Sequence, residues 1–404
     1  MPVAAPSQTY DYYREVFDGI EAPFAFVDLD AMWSNSDSML ERAGEMAVRP
    51  ASKSIRCRAI IDRILERDER YRGVMTYTLP ETLWLEEAGM EDLLLAYPTT
   101  DLEALAQLAI RNAANPERAP ILTVDCVEHL DLIESVLGPT AGTVRLCLEL
   151  DAAWWAFGER LKVGAKRSPI HSTEEAVVLA REIASREKLE LVALMAYEGQ
   201  ISGVGDRPPG RPFRAGLIKW MQRNSIEELA ERRTEVVRAL KAEAEIEIVN
   251  GGGTGSLEFT SAESEVTEVA AGSGFYAPNQ FDHYSWFSLT PAAAYAIPVV
   301  RRPGPSVVTG LGGGYLSSGA PGPARMPSPW LPEGLTLDKE EGAGEVQTPL
   351  IGPAADRLRI GDPVFMRHSK AGELCERFDS LYLVESGEIV DEVPTYRGEG
   401  QAFL

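Results

Sequence analysis

The lysine at position 53 is the first residue whose type and position point to chemistry. It lies in the run VRPASKSI, residues 48–55, which has the pattern of a short strand. An ammonium group in a strand is costly to bury unless it is paired or used, and lysine amines form Schiff bases with carbonyl compounds. Lys53 is therefore a candidate for covalent catalysis. The alternative is a lysine on an edge strand that faces solvent.

Two glycine-rich segments end later strand-like runs. NGGGTGS occupies residues 250–256 and AAGSGFY occupies residues 270–276. The backbone N–H groups of such loops can converge on an anion, because few side chains keep the anion away. NGGGTGS lacks the lysine of GxxxxGK[ST], and it is not a GxGxxG in a first βα turn. Together the two segments predict a phosphate site, and the alternative for NGGGTGS is a tight turn that needs glycine.

His368 has other potential metal ligands close to it in the sequence. It lies in RHSKAGELCERF, which also contains Glu373 and Cys375. Imidazole, thiolate and carboxylate groups are the ligands that zinc takes in proteins. On these residues alone the segment is a candidate zinc site, and a histidine with a purely structural role is the alternative.

The elements that must position these residues form a regular series. Eight strand-like runs, all but the last followed by a helical pattern, lie at 48–55, 73–78, 92–98, 121–126, 144–150, 191–198, 246–252 and 266–276. Eight βα units in about 230 residues predict a (β/α)8 barrel of the TIM type, with a doubly wound open sheet as the alternative. Residues that do chemistry in a barrel lie at the carboxyl ends of its strands, where Lys53 and both glycine-rich segments fall.

After residue 285 the pattern changes to short strands separated by glycine- and proline-rich turns, which predicts a β domain. The predicted division is an N-terminal extension at 1–22, the barrel at 23–284 and a smaller C-terminal β domain at 285–404. The run FAFVDL, residues 24–29, opens the barrel range in this division.

Composition excludes several classes of partner. The 404 residues carry a net charge of −23, and no stretch clusters lysine and arginine as a nucleic-acid footprint would. No apolar run reaches the roughly 20 residues that a membrane span needs, and the start of the chain lacks the pattern of a secretory signal. The four cysteines are scattered, which is typical of reduced thiols. We therefore expect a cytoplasmic protein that binds neither nucleic acid nor membrane.

The motifs occur in the order of a known family. APFAFVDLDAM, RPASKSIRC, TYTLPE, MAYEGQ, NGGGTGS and AAGSGFY follow one another along the chain. With them the chain resembles the fold-type III pyridoxal phosphate enzymes, which share an alanine racemase-like N-terminal barrel. Within these it is similar to the D-threonine aldolase and D-serine dehydratase branch, and to bacterial proteins called amino acid deaminase or aldolase.

The resemblance implies a pyridoxal 5'-phosphate site made of particular residues. Lys53 would form the Schiff base with the cofactor, Tyr197 would contact the cofactor and Arg160 would face its ring. The residues that would hold the phosphate are Gly252, Gly253, Thr254, Gly272 and Ser273. The resemblance also implies a homodimer in which the β domain of one chain completes the active site of the other.

The resemblance further implies a divalent metal, zinc or manganese, at the segment that contains His368. The branch has His-x-Cys or His-x-Asp there, whereas this chain has Lys370 two residues after His368. Cys375 is the candidate second ligand, with Glu373 as another choice. The alternative is that the ammonium group of Lys370 replaces the charge of the metal.

The implied activity is that of a lyase that acts on a small-molecule substrate, a β-hydroxy D-amino acid. The main hypothesis is a retro-aldol cleavage of the D-threonine aldolase type, which gives glycine and an aldehyde, with Lys53 and His368 as catalytic residues. The alternative is β-elimination of the D-serine dehydratase type. A racemase is a further alternative. A non-catalytic protein that binds pyridoxal phosphate is disfavoured, because a carrier needs no second domain to close the site.

Overall fold

The computed structural model of the protein contains two large sheets and describes residues 8–157, 160–208, 212–319 and 322–404. The strands are β1 Phe24–Asp28, β2 Ala47–Pro50, β3 Val74–Thr76, β4 Leu93–Leu95, β5 Ile121–Val124, β6 Val144–Glu149, β7 Trp154–Ala156, β8 Leu161–Val163, β9 Leu189–Ala196, β10 Ile248–Gly251, β11 Glu268–Ala271, β12 Ala293–Gly304, β13 Val307–Leu311, β14 Ser328–Leu331, β15 Thr336–Leu337, β16 Gln347–Ile351, β17 Pro363–Arg367, β18 Ser380–Glu385 and β19 Glu388–Pro394.

The α-helices lie mostly between the strands of the first sheet. They are α1 Tyr10–Val16, α2 Leu29–Ala43, α3 Arg58–Arg67, α4 Leu79–Glu87, α5 Leu102–Ala114, α6 Val127–Glu134, α7 Thr173–Ala184, α8 Gly199–Ser202, α9 Pro212–Leu240, α10 Leu257–Thr260 and α11 Ser273–Tyr276. Across the described ranges, none of these helices combines the length and the apolar character that a membrane crossing requires.

The first sheet is an eight-stranded parallel barrel. Its strands follow the order β2, β11, β10, β9, β6, β5, β4 and β3. Single parallel bridges from Val48 to Tyr71 and from Ala51 to Met75 join its two ends, so the ring is nearly closed. The predicted barrel is therefore confirmed over the doubly wound sheet, and each of the eight strands lies within or overlaps its predicted run.

Local sequence signals explain where the barrel helices begin. Ser172 and Glu175 form a reciprocal capping box at the start of α7, which satisfies two backbone N–H groups that the helix leaves free. At the start of α4 the hydroxyl of Thr78 accepts the N–H of Glu81, and Pro80 lies in the first turn, where no N–H is needed. These signals fix the loops that precede the helices, and those loops carry the residues of the barrel mouth.

The second sheet has nine strands and includes β1, the first strand of the chain. β1 pairs antiparallel with β12 and parallel with β18. The sequence range 23–284 assigns this strand to the barrel, and the pairing corrects that assignment. All five residues of β1 are buried, and Phe24 and Phe26 pack in an aromatic cluster with Phe365 of β17. A strand buried on both faces needs a sheet covered on both sides, which the β domain provides here.

Candidate active site

Lys53 lies at the mouth of the barrel, in the short turn Ser52–Ser54 that follows β2. Its side chain is exposed, and its Nζ donates a hydrogen bond of 2.7 Å to the hydroxyl of Tyr97, which follows β4. A Cβ atom built on Gly372, at φ +90°, would collide with the carbonyl oxygen of Lys53. The segment around Gly372 in the β domain therefore lies directly against the lysine turn.

Two tyrosines and one arginine surround this lysine. The guanidinium of Arg167 lies over the ring of Tyr97 at 5.5 Å and over the ring of Tyr197 at 5.3 Å, measured to the ring centroids. Burial raises the pKa of Tyr197, and the positive charges of Lys53 and Arg167 partly offset that rise. Arg160, the arginine predicted from the resemblance, is exposed beside the start of β8. The structure thus brings Tyr197 to Lys53, and the arginine that it brings there is Arg167.

A buried carboxyl group lies behind Arg167. Glu149 ends β6, and burial raises its pKa to about 7, with the charges of Asp125 and Asp151 adding to the rise and Arg167 opposing it. The sequence analysis missed Tyr97, Arg167 and Glu149. Tyr97 and Glu149 follow or end predicted strands, so the position of a polar group at a strand's carboxyl end was the available signal.

The two glycine-rich segments meet at the ends of the neighbouring strands β10 and β11. The hydroxyl of Thr254 accepts the backbone N–H of Gly274 at 3.1 Å, and the hydroxyls of Ser273 and Thr254 are 3.5 Å apart. The two segments that contain the five predicted phosphate residues, together the glycine cradle, therefore lie side by side, because each continues directly from its strand.

Neighbouring side chains and backbone pack closely against the glycines of these two segments. A Cβ atom on Gly253 would collide with the hydroxyl of Ser202 and would lie 3.1 Å from the ring of Tyr197. A Cβ atom on Gly272 would lie 2.7 Å from the carbonyl oxygen of Ala51, in the segment that leads to Lys53. Only glycine allows this close approach of Ser202, Tyr197 and the lysine turn to the two segments.

A buried ionic network supports the first glycine segment from behind. Glu198, next to Tyr197, accepts the N–H of Gly252 at 3.2 Å, the hydroxyl of Ser256 at 3.0 Å and the guanidinium of Arg233 at 3.1 Å. Arg233 of α9 also donates to the carbonyl of Ala196 at 3.0 Å. The sequence analysis did not identify this network, whose members lie far apart along the chain.

A cavity of about 260 Å³ lies on the β-domain side of Lys53. Its lining includes His368, Lys370, Glu373, Arg56 and Arg377. Within the described part of the chain, neither ring nitrogen of the buried His368 has a hydrogen-bond partner. Burial lowers the pKa of His368 to about 3, and the neighbouring Arg367 adds to the effect. The imidazole is therefore neutral, with unused polar atoms beside the cavity.

The side chain of Lys370 lies among charges of both signs. Burial lowers its pKa, as do the charges of Arg325, Lys53 and Arg167, whereas the charge of Glu373 raises it. Lys370 lines the same cavity as His368, and Gly372, two residues later, packs against the backbone carbonyl of Lys53.

The predicted metal pair, His368 and Cys375, does not form a metal-binding arrangement. The thiol of Cys375 donates to the carbonyl of Ile55 at 3.2 Å, and burial raises its pKa, which disfavours the thiolate that binds metals. Over the described ranges, the one group of three or more histidine, cysteine, aspartate and glutamate donors within 4.8 Å consists of Asp125, Cys126 and His129. Cys375 is therefore not placed to act as a second metal ligand beside His368.

Comparisons with known proteins agree with this geometry. Residues 27–280 match the family model of the alanine racemase N-terminal domain. A D-threonine aldolase from Arthrobacter sp. is 24% identical over 385 residues, which cover 92% of this chain and 91% of that protein. The structure of a D-threonine aldolase from Filomicrobium marinum matches with a TM-score of 0.74 and 21% identity, over 94% of this chain and 96% of the other. D-threo-3-hydroxyaspartate dehydratase from Delftia sp. HT23 matches with a TM-score of 0.69 and 19% identity, over 93% of this chain and 98% of the other.

Proposed function

The chain belongs to the alanine racemase N-terminal domain family, among the fold-type III pyridoxal phosphate enzymes, and from this we propose that it is a lyase that cleaves β-hydroxy D-amino acids. The proposed reaction is a retro-aldol cleavage that gives glycine and an aldehyde. The observation that carries the proposal is the position of Lys53 at the barrel mouth, in a turn that packs against Gly272 of the glycine segments on one side and against Gly372 of the β domain on the other. The similarity to a D-threonine aldolase over 92% of the chain supports the choice of substrate.

The residues of the mouth fit pyridoxal 5'-phosphate. Lys53 would hold its aldehyde carbon, and Tyr197 with Arg167 would contact its ring; Arg160 remains the arginine that the resemblance indicates. The phosphate would lie on the backbone of Gly252, Gly253, Thr254, Gly272 and Ser273. When bound, pyridoxal phosphate withdraws electrons from the substrate carbon at which a bond breaks.

The side chains of the protein then select the bond and manage protons. The hydrogen bond from Lys53 to Tyr97 fixes the amine at the mouth, and Arg167 adds positive charge beside it. His368 lines the cavity and is neutral, so its imidazole would accept a hydrogen bond from the hydroxyl of a substrate bound there. Such positioning aligns the Cα–Cβ bond for cleavage, which is the main contribution of the protein to this chemistry.

The experiment that tests the proposal is an assay of the purified protein, supplied with pyridoxal phosphate, on D-threonine, D-serine and their L-enantiomers. We expect glycine and acetaldehyde from D-threonine and none from L-threonine. Interconversion of enantiomers without cleavage would identify a racemase. Absence of turnover on all four amino acids would overturn the proposal in favour of a cofactor carrier.

A dehydratase is the second candidate function. The fold match to D-threo-3-hydroxyaspartate dehydratase covers nearly the same part of the chain as the match to the aldolase structure. In that reaction Lys53 would take the Cα proton and the β-hydroxyl would leave as water. Hydrolysis of the resulting enamine, by way of its imine, then gives a keto acid and ammonia. Ammonia from D-serine or a hydroxyaspartate, without glycine from D-threonine, would establish the dehydratase.

We propose further that the protein is a cytoplasmic homodimer with shared active sites. Exposed apolar side chains near the barrel mouth, Phe157, Phe213 and Trp220, support an interface there. The three-part division at 1–22, 23–284 and 285–404 is kept as a proposal, with β1 assigned to the second sheet. Light scattering in solution tests the dimer by its mass, and a mass of 44.2 kDa would contradict it.

A further inference from the structure

We propose that the ammonium group of Lys370 contacts the hydroxyl oxygen of the substrate and that the protein works without a metal ion at His368. This inference rests on the proposed function, because it assigns a partner to the substrate hydroxyl. It follows from three features of the β-domain side of the site: the position of Lys370, the charges around it and the donors near His368.

The first feature is the position of Lys370 beside the reactive lysine. Gly372, two residues later, packs against the backbone carbonyl of Lys53 so closely that no side chain fits there. The hydroxyl of Ser369 donates to the carbonyl of Ala324 at 2.8 Å, and the carbonyl of His368 accepts the N–H of Asn279 at 3.1 Å. Residues 368–372 are therefore held on both sides, and Lys370 lines the same cavity as His368.

The second feature is the charge of the surroundings. The charged side chains that line the cavity are the basic Arg56, Lys370 and Arg377 and the acidic Glu373 and Glu376, and Glu376 pairs with Arg56. Basic groups exceed acidic ones there, which disfavours a divalent cation and stabilises an electron-rich hydroxyl oxygen. The cavity is therefore better suited to bind an oxygen of the substrate than a metal ion.

The third feature is the set of donors near His368. The Cys375 thiol is used by the carbonyl of Ile55, and one oxygen of Glu373 accepts the N–H of Ser318 at 2.7 Å. His368 and these residues do not belong to a three-donor group in the part of the chain that the structure describes. Lys370 lies two residues after His368, at the position where a second metal ligand would have to be a carboxylate or a thiolate.

Zinc titration of the wild-type protein loaded with pyridoxal phosphate tests this inference without any turnover. The probe is zinc chloride, measured by calorimetry after dialysis against a chelator, in the wild type and in His368→Ala. Zinc bound at Asp125, Cys126 and His129 would persist in both proteins, so only an equivalent that His368→Ala abolishes counts. We expect no such equivalent. One equivalent lost with His368→Ala would overturn the inference.

Substitution of Lys370 by aspartate gives the converse test. Imidazole and carboxylate together form a zinc or manganese site, so Lys370→Asp should gain one zinc equivalent that depends on His368. Lys370→Asp should also be active only with added metal, whereas the wild type should keep its rate within about twofold after chelation. A folded Lys370→Asp protein that binds no zinc would show that Lys370 does not lie where a metal would, and would overturn the inference.

Removal of the charge completes the design. Lys370→Met should lower kcat by about 100-fold, since it removes one preorganised charge from the hydroxyl, and metal should not restore it. Lys370→Arg, the matched control, keeps the charge and should retain much more activity. A Lys370→Met protein with the wild-type rate would contradict the role of Lys370. If the wild type cleaves no β-hydroxy amino acid, the proposed function fails, while the zinc titrations still decide whether Lys370 excludes a metal.

Discussion

The two regions that flank Lys53 differ in the hydrogen bonding of a central buried side chain. Behind the glycine cradle, both carboxylate oxygens of Glu198 accept hydrogen bonds, from Gly252, Ser256 and Arg233 among others. In the β-domain cavity, neither ring nitrogen of the equally buried His368 has a partner within the described ranges. Both regions bring together residues that are distant in the sequence. The difference between them therefore lies in hydrogen bonding and not in how far apart their residues are along the chain.

This difference indicates that the region around Glu198 supports the glycine loop, whereas the region around His368 binds a ligand. Buried polar groups are normally hydrogen-bonded, since an unmet one costs about 1–3 kcal/mol. The carboxylate of Glu198 meets this rule and holds the loop at Gly252. The cavity at His368 departs from it, and a site that must receive a hydroxyl group needs such unmet partners. The variants below test whether the two regions hold these separate roles.

The largest effect is expected at the residue between the two regions. Lys53→Ala removes the amine that both regions serve, so activity should fall by about 10⁴-fold or more. Absorbance of bound pyridoxal phosphate before and after borohydride, followed by peptide mapping, checks the assignment. A borohydride-stable adduct retained in Lys53→Ala would show that another lysine holds the cofactor.

The next effect tests the support role of Glu198. Glu198→Gln removes a charge from a buried pair with Arg233, and we expect a loss of about 3 kcal/mol in the free energy of unfolding together with weaker retention of the cofactor. Urea unfolding and dialysis of the cofactor measure these two results. Glu243→Gln is the matched control, because Glu243 pairs with the exposed Arg181 and should show no measurable loss. Wild-type stability in Glu198→Gln would remove the distinction between the regions.

A third buried carboxyl group, Glu81, sharpens the comparison because its hydrogen-bond donors are neutral. It accepts the N–H of Tyr77 at 2.7 Å and the hydroxyl of Tyr396 at 3.0 Å, and burial raises its pKa from 4.5 to about 7. The folded protein keeps a proton that the unfolded chain releases above pH 4.5. The stability from this group is therefore fully present below pH 4.5 and is lost as the pH rises to about 7.

Unfolding in urea at pH 5, 6, 7 and 8 tests this dependence. The contribution of Glu81 should fall by on the order of 3 kcal/mol over this range, and Glu81→Gln should lack that fall. The difference between wild type and variant cancels the other titrating groups. Parallel stability curves for the two proteins would contradict the raised pKa.

The smallest effect concerns the cradle itself. Gly253→Ala places a methyl group against the hydroxyl of Ser202 and the ring of Tyr197. The loop must shift, and we expect the dissociation constant of pyridoxal phosphate to rise by about tenfold, as measured by absorbance titration. Gly216→Ala in α9 is the control, since nothing lies within 4 Å of the added methyl and helix propensity favours alanine. Equal cofactor affinity in both variants would contradict the close fit of the cradle.

The barrel was predictable from sequence because its signals are local. Each strand is a short apolar run beside a helical pattern, and both Lys53 and the glycine segments follow directly from strands. β1 shows the same local pattern, yet it pairs with β12 and β18, more than 260 residues away. Strand pairing at that distance leaves no trace in a local pattern, so the sheet that β1 joins could not be predicted.

Site residues could be predicted where their own type and position at a strand end indicate a role. They could not be predicted where the role depends on contacts with residues distant in the sequence. Tyr197 ends a strand and was identified, whereas its neighbour Glu198 acts only through Gly252 and Arg233. Arg160 and Arg167 lie in one loop region, and only the folded chain shows that Arg167 lies over the two tyrosine rings. The choice of Cys375 as a metal ligand rested on residue types near His368, and the hydrogen bond from its thiol to the carbonyl of Ile55 removes that residue from the site.

The pairing of β1 with β18 also bears on the synthesis of the protein. Phe26 pairs with Tyr382, and ribosomes add about 5–20 residues per second, so β1 waits roughly 20–70 s for this partner. Most neighbouring strands of the barrel leave the ribosome sooner after one another, although β2 must also wait for β11. During that interval the apolar edge of β1 is open to other nascent chains or to a chaperone. β1, the first strand to be synthesised, is therefore among the last to gain its full set of strand partners.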